Sequence, residues 1–464
     1  MQTELNVLLK NLAEPSAEFS MAPFWFLNDK LSKREIKKQL VDFKEKGIDI
    51  IIVHPRIGLP KNLKYLSESY FSYYAYILKI SKVLDLKIII YDDGMYPSGA
   101  AGGLVVEGHP EYKSLGLFLS CTPDGKVIEK LDNGKYLVEK YSQGRMRGIH
   151  YGEDDGEINQ PYSADILNEN AVDCFIELTH KQYYARFKEY FGDVIIGFFT
   201  DEPQALGRGI HTCKIWTSGL EEKIKERGGV LKDLVGLFTK TENDTTRLYN
   251  ALIQELENKV YYKKLQDFCN EHGVSLVGHP AECDDIEKLE NFDIPGQDLI
   301  FRSIALEKGD CVGRDSVLGK CSSDYARCVG KRRNANECLG VCGQEDNRWD
   351  LSPEDIKWYF DYLAVRGVNM FIPHAFYYSL RGKRKEERPP DVGPNTLYWK
   401  HYRHFSNYVK RLSWLMTDAK NLAKVMVVCE NQAMQYEEVK YFYENQIEFN
   451  YVPKSFLSKC KIAC

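Results

Sequence analysis

Two glutamates stand where this chain is best placed to do chemistry. Glu202 closes the run VIIGFFTDEP, with Pro203 ending the strand behind it, and Glu337 closes NANECLG. A carboxylic acid and a carboxylate facing each other over a bound molecule can protonate a leaving oxygen and attack, or activate water against, the carbon it leaves. Other apolar runs end in the same manner. Trp25 and Asn28 belong to SMAPFWF and its exit, His54 and Arg56 follow IDIIIV, and Asp92 and Asp93 follow LKIIIY. Asp201 precedes Glu202, His279 and Glu282 belong to VSLVGHP and its exit, Gln297 and Asp298 close FDIPGQD, and His374 follows VNMFIP. Singly, each has an ordinary explanation as an ion pair, a helix cap or a solvated loop residue. A polar group at the same end of every apolar run is harder to obtain from solvation alone.

The elements that must position these groups are legible as short apolar runs alternating with amphipathic helices, the pattern of parallel βαβ units. Strands are predicted over 20–26, 48–55, 86–94, 194–203, 274–280, 292–298, 334–340 and 368–376. Helices are predicted over 33–46, 67–84, 171–190, 246–271, 353–366 and 398–414; in the first, Ile36, Leu40 and Phe43 share a face and Gly47 supplies the stop. Eight such units are what a closed (β/α)8 TIM barrel of the α/β class requires, and its chemistry sits at the C-terminal strand ends. Strands 4 and 7 lie across that mouth, so Glu202 and Glu337 are expected to face each other. A retaining pair needs its carboxyl groups about 5–5.5 Å apart and an inverting pair about 6.5–9.5 Å. The opposed positions favour the shorter spacing, and Glu202, flanked by the apolar GFF run and Pro203, is expected to be the acid.

Two stretches fall outside the repeat. Over about 115–162 the pattern changes to KVIEKL and KYLVEKY, with Asp124–Gly125 and Asn133–Gly134 as hairpin turns, which predicts a small β insertion after strand 3. The expected division is a lead-in over 1–18, the catalytic barrel over 19–420, and a partial α/β C-terminal segment over 421–464. That segment holds KVMVVCE, a helix around 436–443, and IEFNYV. So small a unit cannot bury both faces of a sheet, which suggests either truncation relative to its relatives or packing on the barrel.

Composition bounds the function. Of 464 residues, 44% are hydrophobic and 28% charged, the balance of a folded globular protein. Sixty-two basic against sixty-seven acidic residues give −5, so no overall positive field would attract nucleic acid. The first residues lack a basic segment followed by a long apolar one, and no apolar run reaches the roughly 18 residues of a membrane span. The expectation is a cytoplasmic protein with no membrane partner; no feature assigns an oligomeric state. Thirteen cysteines without a repeated CxxC pair fit free thiols in a reducing compartment. Aromatic residues reach 12%, with 30 Tyr, 22 Phe and 6 Trp, enough for rings that stack on the C–H faces of a sugar. Of Trp25, Tyr96, Phe376 and Tyr377, at least one is expected to offer a ring face at the mouth. The glycines of YPSGAAGG fit neither GxGxxG nor a P-loop, and no GxSxG elbow occurs.

Glutamates ending strands 4 and 7 resemble those of the clan A glycoside hydrolases. More closely, FSMAPFWFLND, IIIVHPRIGLP, YDDGMYPSGAAGG, GFFTDEPQ and NMFIPHAFYYS resemble bacterial glycosidases of the family 106-like, α-L-rhamnosidase-type group, over about residues 19–420. The resemblance implies an O-glycosidase with a carbohydrate substrate, an α-L-rhamnoside or related plant-type glycan. It implies Glu202 as general acid and Glu337 as its partner, with Trp25, His54, Arg56, Asp92 and His374 lining the sugar subsite. Asn28, Asp93, Tyr96, Asp201, His279 and Tyr377 complete the substrate-binding candidates by their positions at the rim. Two departures stand out: Asp201 occupies the place where clan A enzymes usually carry Asn, and the calcium ligands of the best-known, inverting family 106 enzymes have no match here. Calcium therefore enters by resemblance alone, and no other cofactor is implied. Two other readings remain open: a catalytically inactive sugar-binding barrel, and a metal-dependent barrel hydrolase using His54, His279 and His374. The latter usually carries a His-x-His pair on strand 1, which SMAPFWF lacks.

Overall fold

The computed structural model describes residues 2–304, 312–340, 349, 351–388 and 390–460. They divide into two units, one of Met1–Tyr91, Glu189–Thr200 and Cys269–Cys464, the other of Asp92–Lys188 and Asp201–Phe268.

The first unit is the barrel. Its strands, numbered in barrel order, are strand 1 (Phe24–Leu27), strand 2 (Ile50–Pro55), strand 3 (Lys87–Tyr91), strand 4 (Ile195–Asp201, whose last residue opens the second unit), strand 5 (Ser275–His279), strand 6 (Ile294–Leu299), strand 7 (Ala335–Cys338) and strand 8 (Met370–Pro373). Each pairs in parallel with the next, as in Trp25 with Val53 and Ala335 with Met370. A continuation of strand 8, Phe376–Tyr377, pairs Phe376 with Trp25 and Tyr377 with Phe26, and so closes the sheet onto strand 1. The (β/α)8 barrel expected from the repeat is the observed fold.

Alternation along each strand fills the interior. Phe24 and Phe26, Ile50 and Ile52, Ile89 and Tyr91, Phe199, Val277, Ala335, and Met370 and Ile372 form one buried cluster. The helices form for the local reasons the sequence offers. Ser32 caps Lys33–Glu45 by accepting the Glu35 N–H, and Ile36, Leu40 and Phe43 are the buried face. Ser352 and Asp355 make a reciprocal capping box on Pro353–Val365, with proline in the first turn. Near the N-terminus, the helix Gln2–Ala13 meets Tyr402–Met416, where the Arg411 guanidinium donates to the carbonyls of Leu12 and Ala13 at 3.1 and 3.2 Å.

The C-terminal segment is a parallel pair, Val425–Cys429 and Phe449–Pro453, joined through the helix Tyr436–Glu444. Phe449 and Tyr451 are buried, and the Tyr451 N–H donates to Asp324 of the helix Asp315–Val329 at 2.8 Å. Met426 on the other strand is 52% exposed, so the apolar residues of this pair are covered unevenly.

The second unit holds a four-stranded antiparallel sheet in the order Lys126–Lys130, Tyr136–Tyr141, Leu115–Ser120, Lys214–Trp216. Asn133–Gly134 joins a hairpin as expected, whereas Leu115–Ser120 pairs with Tyr136–Tyr141 and not with Lys126–Lys130, so Asp124–Gly125 is a connection and not a hairpin turn. The fourth comes from the chain after strand 4, so this unit is larger than the insertion expected over 115–162. Three residues are too few to show an alternating pattern, and only pairing with Leu115–Leu117 makes them a strand. The helix expected over 171–190 is two, Glu169–Leu178 and His180–Phe187. Between them Thr179 leaves the helical region and turns its hydroxyl back onto the Phe175 carbonyl at 2.7 Å.

Candidate active site

Inward-facing positions two residues apart carry the barrel core toward the C-terminal strand ends, where polar groups replace it. In strand 2 this group is His54. Its Nδ1 is 2.7 Å from the Pro55 carbonyl and its Nε2 is 3.3 Å from an Arg56 guanidinium nitrogen. A carbonyl only accepts and a guanidinium only donates, so Nδ1 carries the proton, Nε2 is bare, and the ring is neutral. Arg56 is buried, lies 4.2 Å over the Phe26 ring, and pairs with Glu387 at 2.8 Å. His54 lies flat on Tyr91, centroids 3.6 Å apart. Tyr91 and Glu387 were not among the sequence candidates. Alternation marks Tyr91 as inward-facing, whereas Glu387 sits in the charged run RGKRKEER without any distinguishing signal.

On strands 5 and 7, His279 Nε2 and Glu337 Oε2 are 3.0 Å apart, and both side chains are buried. His279 Nδ1 faces the Pro280 carbonyl at 3.4 Å. At strand 8, His374 sets its ring edge-on to Phe26, centroids 4.9 Å apart. The Tyr377 ring packs on Phe26 at 5.2 Å and its hydroxyl reaches the Arg388 carbonyl at 2.8 Å.

Two candidates of this unit are corrected. Trp25 alternates with Phe24 and Phe26 and therefore points outward, where its indole N–H donates to Gln39 of the helix Lys33–Glu45 at 2.8 Å and its ring meets Phe43. Phe376 also packs outward, between Phe43, Trp399 and Tyr402. Asn28 has its amide engaged at both ends by the Ser379 backbone, at 2.9 and 3.0 Å, and so ties the exits of strands 1 and 8 together.

In the second unit, Ser98 links two candidates: its hydroxyl donates to Asp92 at 2.6 Å and accepts the Asp201 N–H at 2.9 Å. Asp93 is the third correction. Its carboxylate accepts backbone N–H groups from Gly94, Gly99, Ala100, Ala101 and Gly102 at 2.5–2.9 Å. Burial raises its pKa while those donors lower it, leaving it at about 6. Asp93 thus anchors the loop instead of facing a ligand. The small residues of SGAAGG serve that closure: at Gly99, with φ +123°, a Cβ would stand 2.8 Å from Ile166. The loop presents the half-buried Tyr96, whose hydroxyl donates to Glu202 and accepts from the Gln204 amide at 3.4 Å. Burial and the neighbouring Glu202 push the Tyr96 phenol well above its ordinary range. Arg208 lies 4.6 Å over the Tyr96 ring and is held by Asp155 at 2.9 and 2.7 Å.

Calcium takes six to eight oxygen ligands. In the first unit Glu337 meets the His279 imidazole, and a nitrogen ligand is not what calcium takes. His54 has both ring nitrogens engaged, which also counts against the three-histidine metal reading. Among the described residues, no helix is long and apolar enough to cross a membrane.

No family model matches the chain. A curated protein of Formosa agariphila, provisionally named a beta-glucuronidase, is 22% identical over 226 residues, covering 46% of this chain and 18% of that protein. Among solved structures, the rhamnosidase of Novosphingobium sp. PP1Y matches with a TM-score of 0.64 at 14% identity, covering 98% of this chain and 65% of that one. The cold-adapted beta-galactosidase of Rahnella sp. R3 matches with a TM-score of 0.56 at 10% identity, covering 95% and 66%. That of Halorubrum lacusprofundi gives 0.53 at 10%, covering 94% and 66%. This chain therefore spans about 65% of the length of the solved rhamnosidase and 18% of the curated relative. At such identities the likeness defines a fold, the (β/α)8 barrel described above.

Proposed function

We propose that this chain is a glycoside hydrolase whose reacting groups are Glu202, after strand 4, and Glu337, in strand 7. The observation that carries the reading is Glu337 itself. It is a buried carboxylate on the inward face of strand 7, hydrogen-bonded to His279, in a barrel whose solved likenesses include a rhamnosidase and two beta-galactosidases. A carboxylate there is costly unless it serves chemistry or an ion pair. The substrate is a carbohydrate, and α-L-rhamnosides are the first class to try, since the rhamnosidase has the highest TM-score of the three. His54, Arg56, His374 and Tyr377 of the first unit, and Asp92, Tyr96 and Asp201 of the second, are the groups proposed to hold the sugar.

The test is hydrolysis of 4-nitrophenyl α-L-rhamnoside, β-D-galactoside and β-D-glucuronide by the purified chain. One of these should be cleaved, and Glu202→Gln and Glu337→Gln should each lower the rate by a factor on the order of 10³. No cleavage of any glycoside, or full activity in both variants, overturns the reading.

A further inference from the structure

We infer that the exits of strands 1, 2 and 8 form a basic surface that takes the anionic part of a glycan, its carboxylate or sulfate groups lying beyond the sugar that is cleaved. This rests on the glycosidase reading and adds a substrate class to it.

Charge is unevenly spread along the chain. Residues 28–32 hold one basic and one acidic residue, 56–67 three basic and no acidic, and 378–388 five basic and two acidic. Nine basic against three acidic residues give these segments +6, in a chain whose sum is −5. Folding brings the three together. Arg384 donates to the Asn28 carbonyl and, at 2.7 Å, to the Gly58 carbonyl, and it pairs with Asp29 at 2.9 Å. Arg381 gives the same carboxylate two further donors, at 3.0 and 2.8 Å. Glu387 pairs with Arg56 at 2.8 Å.

These ion pairs sort the charges by depth. Asp29 and Glu387 are only 8% and 10% exposed at their side chains, and both are paired with arginines. Lys30, Lys61, Lys64, Lys383 and Lys385 are exposed, and among the described residues none of their ammonium groups has a carboxylate partner. Glu386 is the one exposed acidic residue of the three segments. A single unpaired surface lysine is ordinary. Five on adjoining loops give a positive potential that distant acidic residues, screened over about 8 Å at physiological salt, do not cancel.

The occupant follows from the place. His54 and Tyr377 lie in strands 2 and 8 just before these exits, and Arg56 opens one of them. A glycan whose terminal sugar is held by those residues continues past the lysines. Charges on three separate loops match an extended polymer better than a small ion.

Affinity electrophoresis of the purified chain tests this, with polygalacturonate as the carboxylate polymer, dextran sulfate as the sulfate polymer, and neutral dextran and duplex DNA beside them. At about 0.05 M salt at least one anionic glycan should bind and dextran should not; the binding should vanish near about 1 M salt, where screening acts over about 3 Å. Lys61→Glu/Lys64→Glu and Lys383→Glu/Lys385→Glu should each weaken it at least about tenfold. Lys10→Glu/Lys79→Glu makes the same change in net charge on exposed lysines of the helices Gln2–Ala13 and Glu68–Leu84, and should weaken it less than about twofold. The polymer that binds tells carboxylate from sulfate. Failure of both anionic glycans to bind, equal losses in all three variants, or DNA bound as tightly as the glycans overturns the inference. Binding is read without hydrolysis, so the two readings fail separately. A parent that cleaves an aryl glycoside but binds neither anionic polymer keeps the glycosidase reading and loses the surface; one that cleaves nothing but binds through these lysines does the reverse.

Discussion

The imidazole of His54 lies on the ring of Tyr91 with centroids 3.6 Å apart and planes 18° from parallel. The stack fixes the ring plane, and the Pro55 carbonyl and Arg56 then fix which nitrogen is protonated. A residue that could have been read as a metal ligand is thereby turned into an acceptor that orients an arginine.

The consequence is a neutral His54 with its proton on Nδ1, to be read from its ¹⁵N shifts. His54→Phe preserves an aromatic face for Tyr91 but leaves the Pro55 carbonyl and one Arg56 donor unmet. It should cost about 1–3 kcal/mol in urea unfolding. An unchanged stability would show that the two contacts do not matter.

Asp93 offers a second measurement. In Asp93→Asn one accepting oxygen becomes an NH₂ facing backbone N–H groups, so the loss should be about 2–4 kcal/mol. Hydrogen exchange should quicken over 94–103 while the strands Lys126–Lys130 and Tyr136–Tyr141 keep their protection. Uniform exchange across the unit would count against a role confined to the loop.

Asp391 makes stability depend on pH. Burial raises its carboxyl to about 7, against an ordinary 3.8, although the Gly393 N–H and the Asn395 amide donate to it. With the folded pKa raised, its contribution is full below about pH 4 and is lost as the pH climbs to about 7. The unfolded chain releases the proton first, at a cost of about 1.4 kcal/mol per pH unit. Asp391→Asn should therefore gain on the parent across that window and level off above it. A difference that does not vary with pH would refute the assignment.

The stereochemical expectation is retention. Proton NMR of the first-formed sugar, recorded before mutarotation, should show the anomer of the substrate. The opposite anomer would mean direct attack by water, which needs carboxyl groups about 6.5–9.5 Å apart.

The sequence by itself determined the barrel and the faces of its strands. Period two is a local property, so Phe24, Phe26, Ile52, His54 and Tyr91 are assigned inward without knowledge of any partner. Helix starts were equally local, since Ser32 and Ser352 lie within three residues of the N–H groups they satisfy. The same alternation sends Trp25 outward; its place among the sugar-binding candidates came from residue type, and the strand's geometry overruled it. Tertiary structure alone decided what each polar residue meets. Asn28 and Ser379 are 351 positions apart, and Arg56 and Glu387 are 331. The strand Lys214–Trp216 exists only through its pairing with Leu115–Leu117. The contacts of Tyr96 with Glu202 and of His279 with Glu337 belong to the same class, since they are made through space, where no sequence spacing records them.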